Sequence, residues 1–479
     1  MHSYQITKEQ KTFTYIGLSG LGILLLTALG VPLSASLALG LGLGLISLGV
    51  LGYTYSSYAS LGAGIKNTGL AYRDLTSRGV IAWVSGVLLT SFYILLYFYS
   101  EYLEGLIRIF DGFSYFLSGR PATQWFVYGV FYTLAIILFG IKFLVKYRHV
   151  RYQRLRTLSI IFFQTAFAFL IPELMARLNG DLPYYDLKSV WPLNYYLFDG
   201  YSLDGFLNSG SLGLGLLIFG VVSIVIVTPI LTYNYGKRWY CSWVCGCGGL
   251  AETAGDPFRQ LSDKSLRTWK LERWMIHTVL VWVFLSTVAV VHSYLLEQPD
   301  RYWISPNLFL SSIAFLVLST LGLIFWKRRN WLAKDAKTAA IVVGVIIIGL
   351  LGFHFFSGNT EVFFIPSAQL RSTYGFFIGA IFSGVIGTGF YPILGNRVWC
   401  RFGCPMAAIL GIQQKLFSKF QISTNGGQCI SCGNCSTYCE MGIDVRAYAQ
   451  KSEPIKRASC VGCGICSAVC PRGVLRLES

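Results

Sequence analysis

The sequence predicts an all-α polytopic membrane protein with about ten transmembrane helices, followed by a small C-terminal α+β domain. Charged residues make up only 13% of the 479 residues, whereas about 25% is usual in soluble domains. The mean hydropathy of +0.55 is also high for a soluble chain. All thirteen cysteines lie in four short groups in the second half of the sequence. Long apolar stretches therefore dominate the chain, and the cysteines indicate its chemistry.

Ten stretches are apolar over the ~20 residues that a helix needs to cross a hydrocarbon core of ~30 Å. Only the Val31-Pro32 turn separates the first two, so we expect them to form a helical hairpin. The predicted spans are 13–30, 33–53, 79–99, 124–145, 156–176, 211–233, 274–295, 306–326, 338–357 and 375–394.

Lysines and arginines are concentrated in alternate loops, for example from Lys146 to Arg156 and from Lys237 to Arg273, while the opposite loops carry more acids. The positive-inside rule makes the basic loops cytoplasmic. We therefore predict a multi-pass protein of the bacterial inner (cytoplasmic) membrane, in contact with membrane lipid, with both termini and all cysteine motifs cytoplasmic. This pattern also accounts for the net charge of +17, so we predict no nucleic-acid partner. The polar N-terminus lacks a small-residue cleavage site, and we interpret it as retained.

The last two cysteine groups are two copies of a C-x2-C-x2-C-x3-C run. In such a pair, three cysteines of each run bind one cubane iron–sulfur cluster and the fourth binds the other cluster. A zinc ribbon would instead use two C-x2-C pairs. We therefore predict a bacterial-type 2[4Fe-4S] ferredoxin domain. The first cluster is assigned to Cys429, Cys432, Cys435 and Cys470, and the second to Cys460, Cys463, Cys466 and Cys439.

The other two cysteine groups follow the sixth and tenth spans, and both fit Gly-x-Arg-x-aromatic-Cys-x-aromatic-x-Cys. The first includes Cys241 and Cys245, with Cys247 as a spare ligand, and the second includes Cys400 and Cys404. The shared pattern indicates an internal duplication. Since residues four apart are neighbours on a helix, we expect both sulfurs of a pair on one helical turn. Four thiolates could hold a third iron–sulfur cluster; a thiol–disulfide relay and a purely structural role are the alternatives.

Histidines provide the second set of candidate cofactor ligands. His292 and His354 both fall near the outer ends of predicted spans. Two imidazoles can bind a haem iron from opposite faces, so this pair is a candidate for a haem b. The competing interpretation is that both histidines only form hydrogen bonds near the membrane interface.

The motifs together resemble the membrane polyferredoxins of the NapH/NosR/CcoG type, over about residues 211–479. The resemblance implies electron transfer linked to respiration, with a quinol or cytoplasmic donor and a membrane or periplasmic redox partner. Two features depart from the family pattern. Cys245 is followed by Gly246 rather than by the proline found at Pro405, and no flavin-attachment motif is present.

We therefore predict a membrane-bound electron-transfer protein that passes electrons between a cytoplasmic donor or the quinone pool and a membrane or periplasmic partner. The alternative is a copper or iron reductase or assembly factor that uses the C-x3-C thiols, since thiolates suit copper(I). The predicted organisation is membrane helices over 1–177, an outer aromatic loop over 178–210, further membrane helices with the C-x3-C motifs over 211–410, and the ferredoxin domain over 411–479.

Overall fold

The computed structural model describes residues 6–59, 75–179, 182, 185, 196–326 and 334–479. Within these residues nine helices are long and apolar enough to cross a membrane, which confirms the predicted class of a polytopic helical protein. They are α1 (Lys8–Ala28), α2 (Ala35–Tyr58), α3 (Val80–Phe98), α4 (Gln124–Lys146), α5 (Arg151–Leu178), α6 (Gly210–Tyr235), α7 (Leu266–Glu297), α8 (Pro306–Trp326) and α9 (Lys334–Ser357).

The tenth predicted span is also helical, but it begins and ends earlier in the chain than expected. Helix α10 starts as Ser367–Tyr374 and continues as a π-helix over Gly375–Ile386. Gln369 and Arg371 lie in its first turns, so it is less apolar than the other nine helices. A short helix, Tyr391–Leu394, then leads into the second C-x3-C motif.

Helices α1 and α2 form the predicted hairpin. A capping box begins α1, since the Thr7 side chain accepts from the Gln10 backbone and the Gln10 side chain accepts from the Thr7 backbone. Glycines let the two helices approach closely: a Cβ on Gly49 would lie 2.6 Å from the Gly17 backbone. Such small-residue contacts are typical of helix pairs in membranes.

Short elements occupy both ends of the helix bundle. One end carries the helices Glu104–Ile109, Asp111–Ser118 and Gly200–Asn208. The last of these falls within the predicted outer loop, most of whose other residues, including Trp191, lie outside the described part of the chain. The opposite end carries Arg238–Cys241, Gly246–Thr253, the 3-10 turn Asp256–Leu261, Tyr391–Leu394, Val398–Phe402 and Pro405–Leu416.

The C-terminal domain, residues 417–479, is small and packs against this second end of the bundle. Strands β1 (Gln421–Thr424) and β2 (Leu475–Glu478) pair antiparallel, with Ile422 opposite Leu477. Three short helices lie between them: Asn434–Thr437, Val445–Gln450 and Ile465–Ala468. We call the rest of the described chain the membrane body. The segments that follow α4, α6 and α10 all contact the C-terminal domain, so they lie on one side of the bundle. This agrees with the prediction, because helices that alternate in direction place the segments after every even-numbered helix on the same side.

Candidate functional site

Cysteines from both runs line one cavity at the surface of the C-terminal domain. Cys429, Cys432, Cys435 and Cys470 line this cavity, which we call the first cavity. Cys435 is buried and Cys432 is exposed. The structure thus brings together the four cysteines that the spacing assigned to the first cluster.

The other four cysteines line a second cavity. Cys439, Cys460, Cys463 and Cys466 line it, and Cys460 and Cys466 are buried. Each cavity therefore takes three cysteines from one run and the last cysteine from the other. This exchange is what two adjacent cubane clusters need, and the ligand assignment itself stays a prediction.

The two cysteine loops fold alike because residues in the left-handed region occur at matching positions. Gly433 and Gly464 each cap a short helix with a φ of 77° and 74°. Two residues earlier in each loop, Ser431 and Gly462 have a φ of 56° and 63°. Glycine adopts this conformation without strain, so the repeated turn makes the chain wrap closely around each cavity.

The two C-x3-C motifs also share one backbone geometry, but not the predicted one. Cys241 ends a short helix, and Cys245 caps the next helix, Gly246–Thr253. Likewise Cys400 lies in Val398–Phe402, and Cys404 caps Pro405–Leu416. The expectation that each pair lies on one helical turn is therefore wrong. A tight turn separates the two cysteines, because the backbone N–H of Cys245 donates to Tyr240, and that of Cys404 donates to Trp399.

The duplication brings the two motifs into contact. The Arg397 guanidinium donates to the Cys400 sulfur at 3.5 Å and to the Cys241 carbonyl oxygen at 3.3 Å, so one side chain joins both repeats. Cys241 and Cys400 are buried. They belong to the same apolar cluster as Cys460 of the second cavity.

Cys247 has no equivalent in the second repeat, where Met406 occupies the matching position. Its side chain is exposed and hydrogen-bonds to the Cys245 side chain. Cys245 and Cys404 are therefore the equivalent cysteines of the two repeats, and Cys247 lies next to the motif without belonging to it.

The membrane body holds the loop around the second cavity through its backbone. Ser242, next to Cys241, donates to the Val461 carbonyl oxygen at 2.8 Å. Three further side chains donate to carbonyls of this loop: Tyr152 to Gly462 at 2.8 Å, Gln153 to Cys463 at 2.9 Å and Gln414 to Cys460 at 2.9 Å. The membrane body therefore packs directly against the loop that lines the second cavity.

Comparison with known proteins agrees with this geometry. Residues 428–475 match the family described as a 4Fe-4S dicluster domain. Both C-x3-C regions match a 4Fe-4S family too. These two segments, 215–265 and 374–422, each match the family described as a 4Fe-4S binding domain. The matches support iron–sulfur clusters in this chain.

One curated relative is named as an electron transport protein, YccM of Escherichia coli (strain K12). It is 24% identical to this chain over 225 residues, which cover 47% of this chain and 46% of the relative. The chain thus spans about half the length of the relative it matches. No solved structure matches the chain.

The sulfur spacing suits clusters better than a single metal ion. Four thiolates around one zinc ion bind at ~2.3 Å, so their sulfurs lie close together. In the described residues, the group of three ligand atoms within 4.8 Å of one another is Glu252, Glu440 and Cys463, which contains one sulfur only. The cysteine sets are therefore more open than a mononuclear site, as a four-iron core requires.

The C-x3-C thiols do not have the properties of a thiol relay. Burial raises the pKa of the Cys241 thiol to about 12. Burial also raises the pKa of Cys404, and the neighbouring Cys400, Cys241 and Cys245 raise it further. Reactive cysteines need a lowered pKa, so this burial disfavours a thiol relay. Cys400, Cys241 and Cys245 are close enough to Cys404 to influence its pKa.

A fully buried network of charges joins the C-terminal domain to the membrane body. Glu440, which follows Cys439, accepts from Arg259 at 2.6 Å and from Arg397 at 3.0 Å. Glu252 pairs with Arg397 at 2.7 Å and also with Arg259. The network extends through pairs of Arg156 with Glu252, Arg259 with Asp256, and Lys146 with Asp256.

Burial and ion pairing act in opposite directions on the pKa values of two acids of this network. Burial alone would raise the pKa of Glu252, but Arg156, Arg259 and Arg397 hold that pKa well below its usual range. Burial is the largest influence on Glu440 and raises its pKa, although Arg259 and Arg397 oppose the shift. With Lys146 the network has four cations against three acids, so its formal net charge is +1.

Lys237 is a buried cation between two groups of thiols. Its side chain is only 1% exposed, and its ammonium donates to the Ala407 carbonyl oxygen at 3.4 Å. No carboxylate of the described residues forms an ion pair with it, whereas its charge opposes the rise that burial causes in the pKa values of Cys241 and Cys460. A buried charge needs a partner, and thiolates bound to a metal core on either side would supply one.

The structure brings His292 and His354 together. The two buried rings lie 5.4 Å apart between centroids and are nearly perpendicular. A haem iron bound by both imidazoles would lie between the rings, and this ligand role stays a prediction.

Sequence reasoning missed the residues that hold the cysteine sites together. Among them are Lys237, Ser242, Glu252, Asp256, Arg259 and Gln414. One signal was available for two of them: Glu252 and Asp256 are two of the four acids in the loop from Lys237 to Arg273, where lysines and arginines predominate. Acids that break the charge pattern of a cytoplasmic loop are candidates for buried ion pairs.

Proposed function

We propose that this chain is a membrane-bound electron carrier that binds three [4Fe-4S] clusters: one at the first cavity, one at the second, and one held by Cys241, Cys245, Cys400 and Cys404. Such clusters supply reversible one-electron chemistry. The path runs from a soluble partner at the C-terminal domain, through the C-x3-C site, to a quinone or a redox partner in the membrane or periplasm.

The single observation that carries the proposal is the contact between Ser242 and Val461. Ser242 follows Cys241, Val461 follows Cys460, and their hydrogen bond of 2.8 Å is buried. It holds a C-x3-C cysteine and a cysteine of the second cavity at neighbouring positions in one apolar cluster. Fixed, water-excluded spacing of this kind suits electron transfer between bound centres.

The charge pattern supports a cytoplasmic position for the cysteine sites. The C-terminal domain contacts the segments after α4, α6 and α10, including Tyr152, Ser242 and Gln414. These segments belong to the basic loops, which the positive-inside rule assigns to the cytoplasm. We therefore place the cysteine motifs and both termini on the cytoplasmic side of the bacterial inner membrane.

The rival function, reduction or insertion of copper or iron for a client enzyme, makes a different use of the C-x3-C thiols. Copper(I) favours two or three nearby thiolates. The match of both motifs to a 4Fe-4S binding domain instead favours the cluster. The rival nevertheless predicts a distinct metal content, so one experiment separates the two.

The test is anaerobic analysis of iron and acid-labile sulfide in the purified protein, with EPR spectra of the dithionite-reduced form. The comparison is a variant with Cys241, Cys245, Cys400 and Cys404 changed to alanine. We expect about twelve irons per chain in the wild type and about eight in the variant. About eight irons in both proteins, with copper bound only to the wild type, would overturn the proposal in favour of the rival.

A further inference from the structure

We propose that the rim of the first cavity is a docking surface for an acidic, water-soluble one-electron carrier protein. This inference rests on the proposed function, because it names the partner at the soluble end of the path. We call the residues Ile430, Ser431, Cys432, Arg446, Pro471 and Arg472 the docking surface; all of them line the first cavity.

The two cavities differ in what covers them. A Cβ on Gly462, beside the second cavity, would lie 2.6 Å from the Arg238 side chain, and one on Gly464 would lie 2.8 Å from Tyr152. The membrane body therefore leaves no space at that loop. At the first cavity, a Cβ on Gly433 would meet only the Arg446 guanidinium, at 3.9 Å. The first cavity is thus the one that a soluble protein can reach.

The docking surface has an apolar centre and a basic rim. Ile430 is 56% exposed, and Pro471 is also exposed. Arg446 and Arg472 flank them, both exposed, and no acidic residue lines the cavity. An apolar centre within a polar rim is the usual anatomy of a protein interface. Because Cys432 is exposed in this centre, a docked partner would approach the first cavity directly.

The two arginines at the rim of the first cavity, Arg446 and Arg472, select an acidic partner. Residues 417–479 contain seven lysines and arginines and four acids. One of these acids, Glu440, is fully buried and neutralised by arginines of the membrane body, so it adds nothing to the surface. A basic face attracts an acidic protein from solution and raises its association rate, an effect that salt weakens.

The redox step at this surface is a single electron transfer. A reduced carrier loses one electron, the chain gains one electron at the first cavity, and no covalent bond forms or breaks. The carrier must therefore hold its own one-electron cofactor near an acidic face, as small acidic ferredoxins and flavodoxins can.

The test measures the reaction of the full-length protein in detergent with a pre-reduced acidic [2Fe-2S] ferredoxin, by stopped-flow absorbance. We expect the second-order rate constant to fall about tenfold between about 20 mM and about 500 mM salt, because screening removes the attraction. The R446E/R472E variant should react about tenfold more slowly at low salt, and the milder R446Q/R472Q variant should lie between. Lys456→Glu is the control variant. Lys456 is exposed, but its neighbour Arg457 stacks on Trp269 of the membrane body. The rate constant of this variant should equal that of the wild type.

Two further measurements separate the ways in which the proposal could fail. Photoreduction with a neutral deazaflavin should reduce the wild type and the R446E/R472E variant equally, and their midpoint potentials should agree. Two outcomes would overturn the proposed docking surface but not the proposed function. One is a rate constant that depends neither on salt nor on the two arginines. The other is a loss of rate that a changed midpoint potential fully explains. A wild type that photoreduction cannot reduce would overturn the proposed function itself.

Discussion

In the contact between the C-terminal domain and the membrane body, the Glu440 carboxylate accepts a hydrogen bond from the Arg397 guanidinium, with 3.0 Å between Oε1 and Nε. Both side chains are fully buried. Glu440 follows the last cysteine of its run, where the other run has Pro471. Arg397 also contacts Cys400, so this pair links the cysteines of the two regions. The C-terminal domain is thus fixed to the membrane body rather than tethered by a linker.

Removing the charge of Glu440 should loosen this attachment. In E440Q, Arg259 and Arg397 keep their burial but lose a carboxylate partner, and breaking a buried pair from one side costs about 3 kcal/mol or more. We expect a loss of that size in the free energy of unfolding, measured by denaturant titration of the cluster absorbance. E478Q is the control, because Glu478 lies exposed at the end of β2. Equal losses in the two variants would show that Glu440 has no special role.

The ion pairs of Asp256 should make stability depend on pH. Burial opposes ionisation of this carboxyl, but Lys146 and Arg259 outweigh it and hold its pKa at about 2, against 3.8 ordinarily. Because the folded-state pKa is the lower one, the stabilisation is complete above about pH 4 and is lost as the pH falls towards about 2.

We therefore expect the gap in unfolding free energy between wild type and D256N to narrow by about 2 kcal/mol over that pH range. Loss of acid-labile clusters would affect both proteins, so the difference between them reports on the carboxylate. A gap that stays constant from pH 4 to pH 2 would contradict the assignment.

The buried ammonium of Lys237 should raise the reduction potential of the neighbouring centres. A reduced centre carries one more negative charge, and a cation nearby stabilises that state. In K237M we expect midpoint potentials to fall by on the order of 50 mV, judged from the Coulomb energy of charges several ångströms apart. An EPR-monitored redox titration measures the shift. K415M provides the control, since Lys415 is exposed on Pro405–Leu416; potentials that agree in all three proteins would refute the prediction.

Cys245 and Cys247 should differ as ligands, although they lie two residues apart. Cys245 caps its helix as Cys404 does, whereas Cys247 is exposed and has no counterpart in the second repeat. We expect C245S to lose about four irons per chain and C247S to retain all of about twelve. Iron loss in C247S with full iron in C245S would reverse the assignment.

Local sequence patterns were enough to predict the membrane helices and the two cysteine runs. An apolar span depends only on consecutive residues, and α1 to α9 lie close to the predicted ranges. The exchange of Cys439 and Cys470 between the two cavities could also be predicted, because the spacing of the runs implies it. The C-x3-C geometry was harder: helical spacing suggested one turn for both cysteines, but the backbone N–H groups of Cys245 and Cys404 donate to Tyr240 and Trp399 and so form a different turn.

The sequence by itself determined the class of the protein and the grouping of its cysteines, and it predicted the side of the membrane on which they lie. Each of these follows from composition, spacing or the distribution of charge along the chain. Only the tertiary structure decided which cavity is covered and which is open, and which charges meet between the two regions. Arg259 and Glu440 are 181 residues apart in the chain. No local pattern encodes such a contact, because it forms only when the helices and the C-terminal domain pack together and exclude water.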